Sequence, residues 1–139
     1  MSKDRKIIDE LFNLAVDNSS RELRTSLSAC IVKKGKKIAF GFNQMKSHPF
    51  QAEYGKNDQS IFWHAETNCI FNALRRGEDL TGSTLYVSRA KKTKPRGKWV
   101  FGLSQPCPGC LKAIIDHGID TVVFTTDDNT LLKMKITDK

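Results

Sequence analysis

Residues 106–126, PCPGCLKAIIDHGIDTVVFTT, decide the fold. Residues 107–117 read as a helix: Pro108 suits a first turn, where the missing N–H has no helical partner, and Gly118 supplies the stop. The run TVVFTT at 121–126 is short, apolar and β-branched, so it reads as a buried strand. Upstream, Thr84–Val87 read as another strand. Before it lies a helix at 63–76, WHAETNCIFNALRR, closed by Gly77. Further back, 27–42 (LSACIVKKGKKIAFGF) is two apolar runs around Lys33–Lys37 with Gly35 as turn residue, a β-hairpin. Residues 7–18 place Ile7, Ile8, Leu11, Leu14 and Ala15 on one helical stripe. Residues 43–60, with Pro49 and Gly55, form a loop, and Lys91 to Gly102 a basic irregular segment. Downstream, Asp127–Thr130 is a turn before a short strand over Leu131–Ile136. The order is helix, hairpin, helix, strand, helix, strand, strand. Two helical crossovers after the hairpin imply parallel pairing in that half of the sheet, and the short final turn implies an antiparallel last strand. The fold class is α/β, a three-layer α-β-α domain with a mixed five-stranded sheet.

The chain's 139 residues suit a single domain. With 39% hydrophobic and 27% charged residues, the composition is that of a globular protein. No apolar stretch reaches the ~20 residues that span a bilayer. The opening MSKDRKIIDELF has no apolar core of a leader, so a cytoplasmic protein without membrane association is expected. The net charge of +8 favours anionic partners without naming them. Four cysteines, at 30, 69, 107 and 110, are few for a disulfide scaffold, and two stand three apart at a Pro-flanked turn. In an intracellular chain that spacing points first to metal or redox chemistry.

The chemistry-bearing segments are His64-Ala65-Glu66 at one predicted helix start and Pro106-Cys107-Pro108-Gly109-Cys110 at another. Residues three apart share a helix face, and first-turn N–H groups favour thiolates. Two thiolates balance one Zn²⁺, and a neutral imidazole adds a third ligand without charge. Three protein ligands leave the fourth tetrahedral position to water. Two residues on a regular helix turn through ~200°, so His64 and Glu66 can share a site only at the helix tip. A carboxylate there can move protons between a water and a ring nitrogen.

The pattern H-x-E…P-C-x-x-C is the signature of zinc-dependent nucleobase deaminases, with Glu as general acid/base rather than ligand. His64-x-Glu66 and Pro106-Cys107-x-x-Cys110 satisfy it. The chain therefore resembles the cytidine and deoxycytidylate deaminase superfamily, from about Ala29 to Thr126. Gly41-Phe42-Asn43 looks like that family's glycine-x-asparagine after the second strand. The resemblance implies a cytidine deaminase-like fold, with zinc on His64, Cys107 and Cys110 and Glu66 as the catalytic acid/base. It also implies Asn43 and Ala65 as substrate-binding positions, Asn43 at the sugar. It implies a pyrimidine nucleotide or nucleoside as substrate, and assembly as a homo-oligomer. Pro108-Gly109 between the cysteines departs from the bulkier residue usual in transfer-RNA adenosine deaminases. The short turn before Leu131 looks like free cytidine deaminases. The long loop before the cysteines and Ser47-His48-Pro49 look like phage-type deoxycytidylate deaminases.

Alternatives stay open at each site. Cys107 and Cys110 could form a redox pair, or a closed structural zinc site with His48 or His117 as fourth ligand. On the helix, His117 lies roughly 10 Å along the axis from Cys110. Such a closed site would make the chain a zinc-stabilised binding module. Cys30 and Cys69 read as small buried hydrophobes. Arg89, Lys91, Lys92, Lys94, Arg96 and Lys98, followed by Trp99 and Phe101, could hold a nucleotide phosphate. They could instead track single-stranded DNA or RNA, or be solvated.

Overall fold

The computed structural model describes residues 3–18, 25–43, 49–50, 64–92 and 97–136. Ser47, His48, Lys94 and Arg96 lie outside the described residues.

Helix α1 (Lys3–Asp17) buries Ile7, Ile8, Leu11 and Ala15, with Leu14 packed beside them. Strands β1 (Thr25–Lys33) and β2 (Lys36–Phe42) form the hairpin. Its two turn residues, Lys34 and Gly35, have φ of 52° and 77°. Both are left-handed, as a two-residue turn matching the strand twist requires. Helix α2 (Ala65–Arg75), strand β3 (Thr84–Lys91), strand β4 (Val100–Gly102), helix α3 (Pro108–Asp116), strand β5 (Thr121–Thr125) and strand β6 (Leu131–Lys135) follow.

The main path of the sheet is β2-β1-β3-β5-β6, with β4 paired to β3. Strand β1 is antiparallel to both β2 and β3, β3 is parallel to β5, and β6 runs antiparallel to β5. The expected mixed sheet of five strands is thus present, extended by a sixth. Residues 91–102, read as irregular, contain that extra strand. Strand β3 runs four residues past Val87, where its pairing with β5 stops, and β4 pairs with Arg89–Lys91. The charged residues of this hairpin carry no apolar alternation, so the periodicity that reveals strands is missing.

One face of the sheet packs on α2 and α3. There Ala29, Ile31, Leu85, Val87, Val122 and Phe124 meet Ala65, Cys69, Ile70, Ala73, Ala113 and Ile114. The opposite face places Cys30, Val32, Tyr86 and Val123 against α1. Along the edge strand β2, two side chains of α2 and that of its C-cap, Arg76, bond its backbone groups. Asn68 Oδ1 accepts from Phe42 N at 2.9 Å, Asn72 Nδ2 donates to Phe40 O at 2.9 Å, and Arg76 donates to Ile38 O at 2.9 Å. Among the described residues, no helix is long and apolar enough to cross a membrane.

Candidate active site

Both segments singled out in the sequence sit at helix starts. His64 is the N-cap of α2, with extended backbone (φ −81°, ψ 156°) and no capping bond from its side chain. Being outside the helix, it escapes the angular separation that would part it from Glu66 in mid-helix. Its ring turns to the cysteines instead. Nδ1 lies 3.2 Å from Cys110 Sγ and 3.7 Å from Cys107 Sγ. Cys107 is in turn the N-cap of α3, with Pro108 behind it, and its sulfur accepts from Cys110 N at 3.5 Å. The three donor atoms all lie within 4.8 Å of one another.

The electrostatics separate the groups by role. The Cys107 thiol is pulled down to about 3, first by the hydrogen bond from the Cys110 thiol and then by His64 and the Cys110 amide, against the cost of burial. The Cys110 thiol is held up by the same shared proton and by burial. Glu66 is 4% exposed, and burial pushes its carboxyl up to about 7, although its own backbone amide and His64 pull it down. One imidazole nitrogen and two sulfurs, converging with one thiolate already favoured, are donors suited to Zn²⁺. Three such donors leave a coordination position open. The residues present therefore fit the zinc that the sequence pattern implies.

The other predicted positions are distributed as follows. Asn43 pairs with Leu27: Oδ1 accepts from Leu27 N at 2.9 Å, and Asn43 N donates to Leu27 O at 3.3 Å. Ala65 is the first residue of α2, and its methyl is fully buried in the core. Cys30 and Cys69 are buried on opposite faces of the sheet, and burial pushes the Cys30 thiol up to about 12. The His117 ring bonds Ala113 O at 2.8 Å at the far end of α3 and is not part of the donor group. In the basic segment, Lys91 pairs with Asp127 at 2.8 Å, Arg89 donates to Leu103 O at 3.2 Å, and Lys92 sits 4.8 Å over the Trp99 ring. Sequence reasoning gave Gly41 no physical role and missed Asn68. A Cβ on Gly41 would lie 2.4 Å from Cys69 N and 2.5 Å from Ala65 O, so β2 lies directly against the backbone of α2. The i, i+4, i+8 series Asn68, Asn72, Arg76 was visible in the sequence, but what it faces was not.

An α-β-α domain that brings a His/Cys/Cys donor set and a buried carboxylate together at two helix starts has the design of a zinc-dependent nucleobase deaminase. The chain belongs to the family described as "Cytidine and deoxycytidylate deaminase zinc-binding region", whose profile matches residues 1–126. Its His64, Cys107 and Cys110 form a group positioned to bind a metal. It is 37% identical over 68 residues to the deoxycytidylate deaminase of Enterobacteria phage T2, a match covering 48% of this chain and 28% of the relative. The chain thus matches less than a third of that curated relative's length. In fold it is similar to the dCMP deaminase of cyanophage S-TIM5 in apo form, with a TM-score of 0.59 at 21% identity, over 91% of this chain and 86% of that one. It is also similar in fold to the cytidine deaminase of Burkholderia pseudomallei, with a TM-score of 0.60 at 17% identity, over 97% and 93% of the two chains.

Proposed function

We propose that this protein hydrolytically deaminates cytosine in a free pyrimidine nucleotide or nucleoside, preferring deoxycytidylate over cytidine and deoxycytidine. The observation that carries this reading is the buried Glu66 two residues beyond His64, whose ring meets both cysteine sulfurs. Zinc, when bound by His64, Cys107 and Cys110, supplies a Lewis acid that brings the acidity of a water toward neutrality. Glu66 accepts the proton from that water and delivers it to N3 of the ring, which makes C4 the electrophile. The oxygen left behind bonds to C4. Glu66 then takes the remaining proton from the new C4 hydroxyl and hands it to the departing amine as the C4–N bond breaks and the C4 carbonyl forms. Water and cytosine are consumed, and uracil and ammonia are formed. Burial, which favours the protonated carboxyl, supports Glu66 as a group that can hold a proton as well as take one. Asn43 spends its Oδ1 on Leu27, which leaves Nδ2 to donate to a sugar oxygen. The positive charge around Lys92 and Lys98 supports a phosphorylated substrate.

Ammonia release measured on deoxycytidylate, deoxycytidine, cytidine and a cytosine-bearing oligonucleotide tests the proposal. The highest kcat/KM is expected on deoxycytidylate. Turnover of the oligonucleotide alone would assign the site to single-stranded nucleic acid. A zinc-loaded protein inert on all four would be a binding module. Assembly as a homo-oligomer belongs to the same proposal and is read from the sedimentation coefficient.

A further inference from the structure

The chain returns to the centre of the sheet just before the cysteines. It passes Val87, the last residue of β3 paired with β5, continues through the rest of β3 and through β4, and comes back at Ser104, whose Oγ donates to Val87 O at 2.9 Å across a separation of 17 residues. Thr125, the last residue of β5, meets Ser104 there. Ser104 N donates to Thr125 O at 3.0 Å, and Thr125 N donates to Ser104 Oγ at 2.8 Å. Thr125 Oγ1 donates to Gly102 O at 2.6 Å and accepts from Arg89 N at 3.3 Å. The two hydroxyl oxygens lie 2.9 Å apart, and both side chains are buried. They fill the gap where β5 stops pairing with β3 and β4 starts, so two side chains continue a ladder the backbone cannot complete.

We infer that Ser104 and Thr125 are positioning residues for the metal site, fixing the start of α3 and with it Cys107 and Cys110. Ser104 precedes Cys107 by three residues and is tied to two strands, whereas His64 is set separately, through the packing of α2 on β2. The three donors converge only if these two independently anchored helix starts keep their spacing. Outer groups that orient ligands typically change metal affinity ten- to hundredfold without touching the metal. The inference rests on the reading that His64, Cys107 and Cys110 hold zinc.

The test is competition for zinc between the full-length protein and a chromophoric chelator. Ser104→Ala and Thr125→Val are each expected to raise the zinc dissociation constant ten- to hundredfold. Ser104→Thr, which keeps the hydroxyl, is expected to restore it. Ser83→Ala is the control: Ser83 is equally buried and donates to Leu80 O at 2.6 Å, ahead of β3 and away from the cysteines. It should lose stability but keep wild-type zinc affinity. Equal affinity in Ser104→Ala and wild type, or equal weakening in Ser83→Ala, overturns the inference. So does failure of both Ser104→Ala and Thr125→Val to fold while Ser83→Ala folds, because the pair would then serve folding alone. A wild-type protein that takes up no zinc would instead sink the ligand assignment beneath it.

Discussion

Gly41 shows how a residue without a side chain sets where a helix lies. The atoms its missing Cβ would strike are the backbone of Cys69 and Ala65, which cannot swing aside. Gly41→Ala must therefore push α2 off β2. Overpacking of this kind costs ~1–3 kcal/mol, so a lowered urea midpoint is expected. Because α2 carries His64 and Glu66, zinc affinity and turnover should fall with it. Glu66→Ala is expected to separate metal from rate. About one zinc per chain should remain, while kcat drops by ~10²–10⁴, as for a well-placed acid/base. Loss of zinc from that variant would make Glu66 a ligand. The His/Cys/Cys group that the structure brings together was legible because a metal site dictates the types and spacing of its donors. The need for glycine at 41 was not, since it arises from a contact between elements far apart in the chain.

The starts of helices α2 and α3 come together at the donor group, so a metal there would join two elements that the chain anchors separately. Cys107→Ser and Cys110→Ser are each expected to lose zinc and with it thermal stability, because binding free energy becomes folding free energy. Cys30→Ala and Cys69→Ala should keep stoichiometric zinc, measured by atomic absorption, with only packing losses. Zinc loss in Cys69→Ala would move the site. Most elements were readable from apolar periodicity and glycine stops, including the hairpin turned at Gly35 and the antiparallel last strand. Two features were not. Strand β4 is three residues long and is placed by the free edge of β3 rather than by its own pattern. His64, read as helical, is a cap, because its ring is drawn toward Cys107 and Cys110.

Taken together, the layers leave the excess of positive charge unevenly committed. Lys91 and Arg89 bond within the fold, to Asp127 and Leu103, so neutralising them would disturb the hairpin as well as the field. The informative variant replaces Lys92, Lys94 and Arg96 together with Gln. If the segment steers a single phosphate, KM for deoxycytidylate should rise by ~10-fold or more while deoxycytidine is little affected. If it tracks a polymer, oligonucleotide affinity should fall in the variant and drop steeply with salt in the wild type. An unchanged KM with no salt-sensitive binding would reject both. The three-layer architecture and the sign of the charge were legible from the sequence. How the cations divide between internal partners and solvent was not, because Asp127 approaches Lys91 only once β5 and β3 are neighbours.

The bonds from Asn68, Asn72 and Arg76 to β2 have a consequence for how the molecule behaves in a crowd. An outermost strand normally exposes a row of donors and acceptors on which a second chain can grow. Here the Phe42 amide and the Phe40 and Ile38 carbonyls are already spoken for by one helix of the same chain. Strand addition along that rim is therefore expected to be disfavoured. The Phe42 amide should also exchange its hydrogen as slowly as one in an interior strand, so a deuterium map would make the border of the sheet look like its middle.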